Sequence, residues 1–416
     1  MTRIAVEPEK ATLGRHTIDQ YEPLVGAATV DRIATKAQRL GPTHVVHVNS
    51  TFYGGGVAEI LTPLTLMMNA LGIATGWRQI QGTPSFFDCT KKFHNALQGA
   101  AIDIEPAERA IYEQVVFENS TRLHLDDCDA VVVHDPQPLP LVTHCATDGI
   151  PWFWQCHIDV SGPHPPTWNY LRKFVERYDL ALFSLDEYTK DLPIEQRIVA
   201  PAIDPFSAKN RDLSRQEISD CLRRHRIPTD RPLITQISRF DKWKDPLGVI
   251  EAHRLARKEV DCTLVLLGNA ATDDPEGNVV LETILNSVDD RVIVITVDDA
   301  VLVNALQRAA AVVLQKSTRE GFGLTVTEAM WKGAVVVGGD TGGIRRQIQD
   351  GENGFLVRTP AEAAERIVQV LRDPDARQRL GVRAQQTVRE NFLMSRLVED
   401  WLDLLGSWRD RRGSRP

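Results

Sequence analysis

Apolar residues along this chain fall in short runs separated by longer amphipathic stretches. That pattern belongs to strands buried on both faces alternating with helices. The runs His44 to Asn49, Gly76 to Gln79, Asp129 to Val133, Pro151 to Cys156 and Leu180 to Ser184 predict strands in the first half. Leu233 to Ile237, Thr263 to Leu267, Arg291 to Thr296, Ala311 to Leu314 and Ala334 to Val337 predict a second set. Helices are expected over Pro23 to Leu40, Val57 to Leu71, Ser85 to Leu97, Ala107 to Arg122 and Thr325 to Lys332, and over most of Ala361 to Trp408. Pro63, inside the second of these, predicts a kink or a late helix start. Alternating strands and helices predict α/β domains with mainly parallel sheets. The proline-rich segment Val199 to Phe206 has neither period and reads as a linker. The expected division is therefore residues 1–203, residues 204–392, and a terminal helix over 393–416 that crosses back to the first domain.

Length supports the division, since 416 residues exceed one ordinary core and suit two domains of roughly 200 residues each. Hydrophobic residues make up 43% and charged residues 25%, and no apolar run approaches the roughly 20 residues of a membrane span. The N-terminus reaches Glu7 without an apolar core of the secretory kind, so a cytoplasmic location is expected. A net charge of -8 disfavours non-specific nucleic-acid binding and points to small-molecule partners. Cys89, Cys128, Cys145, Cys156, Cys221 and Cys262 show no metal spacing and read as reduced, mostly buried thiols.

Chemistry concentrates where strands end. In Arg319 to Ala329, Glu320 and Glu328 stand eight residues apart around Gly321, Phe322 and Gly323, with Leu324 and Thr325 opening a helix. Glycines let a backbone approach a ligand, and the first amides of a helix point at an anion. Glu320 is placed to accept from sugar hydroxyls and Glu328 from a ribose. A second glycine turn, Gly54, Gly55 and Gly56, follows the first strand and offers a similar phosphate-binding geometry. His134 and Asp135, with Gln137, follow one strand, and His157 follows the next; ligands of open α/β sheets bind at such ends. Arg239 and Lys244 follow the first strand of the second half and suit a diphosphate. The further turn Gly338 to Gly343 is as suited to packing as to binding.

Together these motifs resemble the retaining glycosyltransferases of family 4, with the GT-B fold, from about Thr43 to Phe392. The resemblance implies two Rossmann-like domains facing a cleft, the first binding acceptor and the second binding nucleotide sugar. It matches Glu320 and Glu328 to a Glu-x7-Glu motif, Arg239 and Lys244 to a basic pair, and Gly54 to Gly56 to a donor loop. More narrowly, His47 to Thr51, Gly54 to Glu59 and Trp152 to Asp159 look like the trehalose glycosyltransferring synthases. Val133 to Pro140 is similar to the acceptor segment of trehalose-phosphate synthases, with Gln137 in place of a histidine. The resemblance implies UDP- or ADP-glucose as donor, free glucose as acceptor, retention at the anomeric carbon, no obligatory metal or cofactor, and a possible homodimer. His157, Arg239, Lys244 and Glu320 would be catalytic; Gly54 to Gly56, Gly321 to Thr325 and Glu328 would bind donor; His134, Asp135 and Gln137 would bind acceptor. Another acceptor, a phosphorylase using inorganic phosphate, a nucleotide-sugar epimerase and a non-enzymatic sensor remain open alternatives.

Overall fold

The computed structural model describes residues 17–52, 55–145, 149–268 and 275–413. Among the described residues, twelve strands form two parallel sheets of six. The first contains β1 His44–Asn49, β2 Ala74–Gln79, β3 Ala130–His134, β4 Trp152–Cys156, β5 Leu180–Phe183 and β6 Glu195–Ile198. The second contains β7 Leu233–Ile237, β8 Thr263–Gly268, β9 Val292–Thr296, β10 Ala310–Gln315, β11 Val335–Gly339 and β12 Phe355–Val357. Central strands such as β3, β4, β7 and β8 are buried along their whole length, which is why they read as unbroken apolar runs. Two strands were not expected. Glu195–Ile198 is a half-buried, mostly polar edge strand, and Phe355–Val357, though apolar, is a run of only three residues.

Strand order runs β2-β1-β3-β4-β5-β6 in one sheet and β12-β11-β10-β7-β8-β9 in the other. The winding reverses between β1 and β3, and again between β7 and β10. Crevices at such reversals, outside the carboxyl ends, are where open α/β sheets take ligands. The glycine turn and the His134-Asp135 segment leave the first crevice, and the Arg239-to-Lys244 and Lys316-to-Glu320 loops leave the second.

Helix starts and stops follow local chemistry. The expected helix from Pro23 is broken: a short helix Glu22–Val25 ends at Gly26, which has φ 83°, and a second runs Ala27–Leu40. The helix bearing Pro63 starts at Gly56 and continues to Ala70, so it does not start late; the ring simply leaves the Glu59 carbonyl without its usual donor. All six cysteines are free, five of them buried. None of the described helices is long and apolar enough to cross a membrane.

The chain passes between the two sheets near Ile203 and returns near Leu393. The crossings are bonded to each other: the Ile203 amide donates to the Phe392 carbonyl at 2.9 Å and the Met394 amide to the Ile203 carbonyl at 3.0 Å. Beyond that bridge the helix Met394–Gly413 lies on the first domain. Leu397, Val398, Trp401 and Leu405 share a core with Ile33, Ala37, Leu61 and Leu64. At its rim Glu399 pairs with Arg32 at 2.6 Å and Lys36 at 2.7 Å, contacts that fix register more than they stabilise. Trp401 is 2% exposed and stands edge-on to His47. Trp401→Ala should cost about 3–5 kcal/mol of unfolding free energy. Urea denaturation checks this, and an unchanged midpoint would mean the returning helix is only loosely attached.

Candidate active site

Glu320 is the most constrained group in the cleft. Its carboxylate, 7% exposed, accepts from Lys244 Nζ at 2.6 Å and from Ser317 Oγ at 3.0 Å. The loop that carries it is held by backbone proximity. A Cβ built on Gly339 would lie 2.1 Å from the Ser317 carbonyl oxygen, and one on Gly342 would lie 2.0 Å from that of Glu320. The Gly338-to-Gly343 turn therefore serves packing, pressing the Glu320 loop into place. Gln347 completes the support, donating to the Phe322 carbonyl at 2.7 Å and accepting from Thr327 Oγ1 at 2.6 Å.

The two domains meet on this loop. A Cβ on Gly321 would fall 2.1 Å from the carbonyl oxygen of His157, so only glycine permits the approach. Tyr188, from the first domain, donates its hydroxyl towards the Glu320 and Gly321 carbonyls at 2.8 and 3.0 Å. Arg319 reaches back to Asp159 at 3.6 Å and to Ser161 Oγ at 3.1 Å. On the other side of the cleft, a Cβ on Gly56 would meet Leu324 Cδ1 at 3.2 Å. This brings together the amino ends of helices Gly56–Ala70 and Leu324–Trp331, and with them two sets of unpaired amides.

The expected residues divide into those gathered here and those not. His157, Lys244, Glu320, Gly321, Leu324 and Gly56 lie at this seam. Arg239 is half exposed, with Asp241 at 3.9 Å as its charged neighbour. Phe322 turns inward, 5% exposed and edge-on to Phe392, so only its backbone belongs to the loop. Gly323 has φ 87° and caps the helix that Thr325 continues. Glu328 is 3% exposed and lies 3.7 Å from Lys209, which also bonds Glu59 at 2.6 Å. Burial and the Glu328 charge push the Glu59 carboxyl up, and Lys209 opposes them. Gly55 has φ 85° and caps its helix, while Gly54 lies outside the described residues. Gln137 is half-buried, with Oε1 unpaired among the described residues.

Three groups were missed by sequence reasoning. Lys209 lies in a linker-like stretch with no motif. His94, on helix Pro84–Leu97, is pushed down to about 3 by burial first and then by the charges of Arg239 and Lys91, with a smaller push from Lys244. The first domain thus presents an imidazole to the second domain's basic pair. The spacing of Lys91 and His94, one turn apart beside buried Phe93 and Leu97, was the available signal. The third is His47, buried in β1.

His47, His134 and His157 form a stack across three adjacent strands. His47 Nδ1 lies 2.9 Å from His134 Nε2, and His134 Nδ1 lies 3.0 Å from His157 Nε2. Register explains it: His47 pairs with Val132, two residues before His134, and His134 pairs with Gln155, two before His157. A two-residue step keeps all three on one face. Asp135, with φ 60°, closes the series by accepting from the His157 amide at 2.8 Å. Burial raises the Asp135 carboxyl, with His157 opposing, and lowers all three imidazoles, His47 to about 3. An imidazole held below its unfolded value of about 6.5 contributes stability that is complete above that pH. That contribution is lost as pH falls towards about 3 for His47. Urea stability should therefore fall more steeply below about pH 6.5 in the parent protein than in His47→Gln. Parallel curves would contradict the neutral stack.

Comparison with known proteins agrees with this geometry. Residues 47–190 match the family described as trehalose synthase, N-terminal domain, and residues 219–387 match glycosyl transferases group 1. The trehalose synthase of Pyrococcus horikoshii is 42% identical over 410 residues, covering 96% of this chain and 99% of that protein. That of Rubrobacter xylanophilus is 39% identical over 410 residues, covering 95% and 98%. Among solved structures, a UDP-forming α,α-trehalose-phosphate synthase from Burkholderia xenovorans aligns with a TM-score of 0.71 at 16% identity, covering 87% of this chain and 100% of that one. At that identity it shows the fold, which is GT-B. The chain belongs to the trehalose synthase family, and is a glycosyltransferase-type enzyme of trehalose metabolism.

Proposed function

We propose that the protein is a retaining glucosyltransferase that moves glucose from a nucleoside diphosphate glucose to free glucose, forming α,α-trehalose without an obligatory metal. The observation that carries this reading is the meeting of unlike halves at one seam. A basic pair and the helix amino end at Leu324 lie on one side, and Asp135, the histidine stack and the helix amino end at Gly56 lie on the other. Arg239 and Lys244 suit the charge that develops on a departing diphosphate, and fixed cations in a partly dry cleft need little reorganisation to do so. The amides of Gly56 and Leu324 add donors for its oxygens. Glu320 and His157 would hold the donor glucose, and Glu328 the ribose. For the donor to bind, Lys244 must share or give up its bond to Glu320, which frees that carboxylate for sugar hydroxyls.

On the acceptor side, Asp135 and His134 would bind glucose, with Gln137 beside them. The anomeric hydroxyl of the acceptor attacks on the face from which the diphosphate leaves, and a phosphate oxygen of that leaving group takes the proton. The carbon–oxygen bond to the diphosphate breaks as the new glycosidic bond forms, so configuration is retained. Glucose is favoured over its 6-phosphate because the cations near this strand end already have partners. Arg319 faces Asp159, and Lys190 donates to the Ser161 carbonyl at 3.3 Å.

Arg239→Ala and Lys244→Ala should each lower kcat by about 100-fold with the fold intact, and near-normal turnover in both would sink the donor assignment. Asp135→Asn keeps an oxygen for the His157 amide but loses the charge. It should weaken glucose by roughly 1.5–3 kcal/mol per hydrogen bond lost while sparing the donor. Steady-state kinetics with each substrate varied in turn would decide it; equal losses for both substrates would move Asp135 out of the acceptor site. Glucose and glucose 6-phosphate offered together at equal concentration should yield trehalose, and a preference for trehalose phosphate would overturn the acceptor assignment.

A further inference from the structure

The second sheet has another opening, at the end away from the cleft. A cavity of about 780 Å³ lies at the amino ends of β7, β10 and β11, where Leu233, Ala310 and Val335 line it. Those ends are a strand's length from the Glu320 loop, about 17 Å. Its charge is one-sided. Arg215, Arg231, Arg308, Lys332 and Arg377 line it, against the single carboxylate of Asp375.

The partners of these cations differ in a telling way. Arg308 is bound to Asp212 at 2.9 Å, and Lys332 Nζ is bound to Gln307 Oε1 at 2.6 Å and Asn210 Oδ1 at 2.8 Å. Those two groups are fixed parts of the wall. Arg231 pairs with Asp230 at 2.6 Å and its Nε faces Asp261 at 3.6 Å, so it too belongs to the wall. Arg377 is half-buried and Arg215 exposed, and no ion pair or side-chain hydrogen bond is formed by either among the described residues. Two guanidinium groups with free donors, those of Arg215 and Arg377, therefore line one concavity. Its floor is apolar, from Leu222, Leu233 and Val335. The volume falls within the roughly 300–1,000 Å³ typical of small-molecule sites.

Guanidinium forks match the oxygens of a phosphate, and several of them select a dianion over a monoanion. An apolar floor gives the rest of the ligand a surface to cover. We propose that this pocket is a second ligand site, separate from the catalytic cleft, that binds a phosphorylated small molecule through Arg215 and Arg377. It faces the opposite end of the sheet, so it can be filled while donor and acceptor occupy the cleft.

The test is calorimetric titration of glucose 6-phosphate into three proteins: the unaltered chain, the double variant Arg215→Ala with Arg377→Ala, and Arg239→Ala in the cleft. Both pocket arginines lie at the surface of their helices, and thermal melting confirms that the double variant is folded. Saturable binding is expected in the unaltered chain and in Arg239→Ala alike, with the double variant weaker by about tenfold or more. Excess free glucose should not compete. The proposal is overturned if the unaltered chain shows no saturable binding, if the double variant binds as tightly as the unaltered chain, or if Arg239→Ala or added glucose abolishes binding, which would place the phosphate ester in the cleft.

Discussion

A carboxylate as buried as that of Glu320 cannot stand alone, because desolvating an unpaired charge costs several kcal/mol. Lys244 and Ser317 satisfy it, and they arrive from the carboxyl ends of β7 and β10, the two strands that flank the reversal of the second sheet. The loop must then bend back beneath a second turn, which is possible only where Gly339, Gly342 and Gly343 leave room. One buried charge thus dictates the strand order at its base, the glycines beside it and the position of the cation it faces. The same bond holds the Lys244 ammonium in place.

The seam between domains is built from groups that favour approach without locking it. Gly321 against the His157 carbonyl is a steric permission, and Tyr188 and Arg319 add polar contacts around it. Apolar packing is continuous around the returning helix and the paired crossings at Ile203 and Leu393, in a core that also takes in Phe322, Val326 and Ile344 of the second domain. Hinges are commonly a few residues at element ends that absorb backbone rotation while the bodies on either side stay rigid. The paired crossings have that form, and a polar, glycine-lined seam is the kind of contact such a hinge can open and remake.

Much of this was legible in the sequence because parallel strands are buried on both faces and turn positions need particular residues. Ten of the twelve described strands were expected, most of them from apolar runs; the polar edge strand Glu195–Ile198 and the three-residue Phe355–Val357 were not. Strand ends and glycine turns pointed to Glu320, Lys244, His157 and Asp135, and the structure brings the first three to one seam. The histidine stack was hidden for a different reason. His47 and His134 are 87 residues apart, and their contact depends on the register of β1 against β3, which no local pattern encodes. Phe322 shows the converse limit, since a motif names a loop but not which of its side chains turns into the core.

The central claim is that the seam joins two separate sugars, one arriving on a diphosphate and one free. Isotopically labelled glucose incubated with unlabelled nucleoside diphosphate glucose and the purified protein tests it most directly, with the product read by nuclear magnetic resonance. The account predicts α,α-trehalose with one labelled and one unlabelled ring, formed in step with release of the nucleoside diphosphate. A disaccharide with a β anomeric linkage, or trehalose formed only when maltose is supplied in place of the nucleotide sugar, would contradict it.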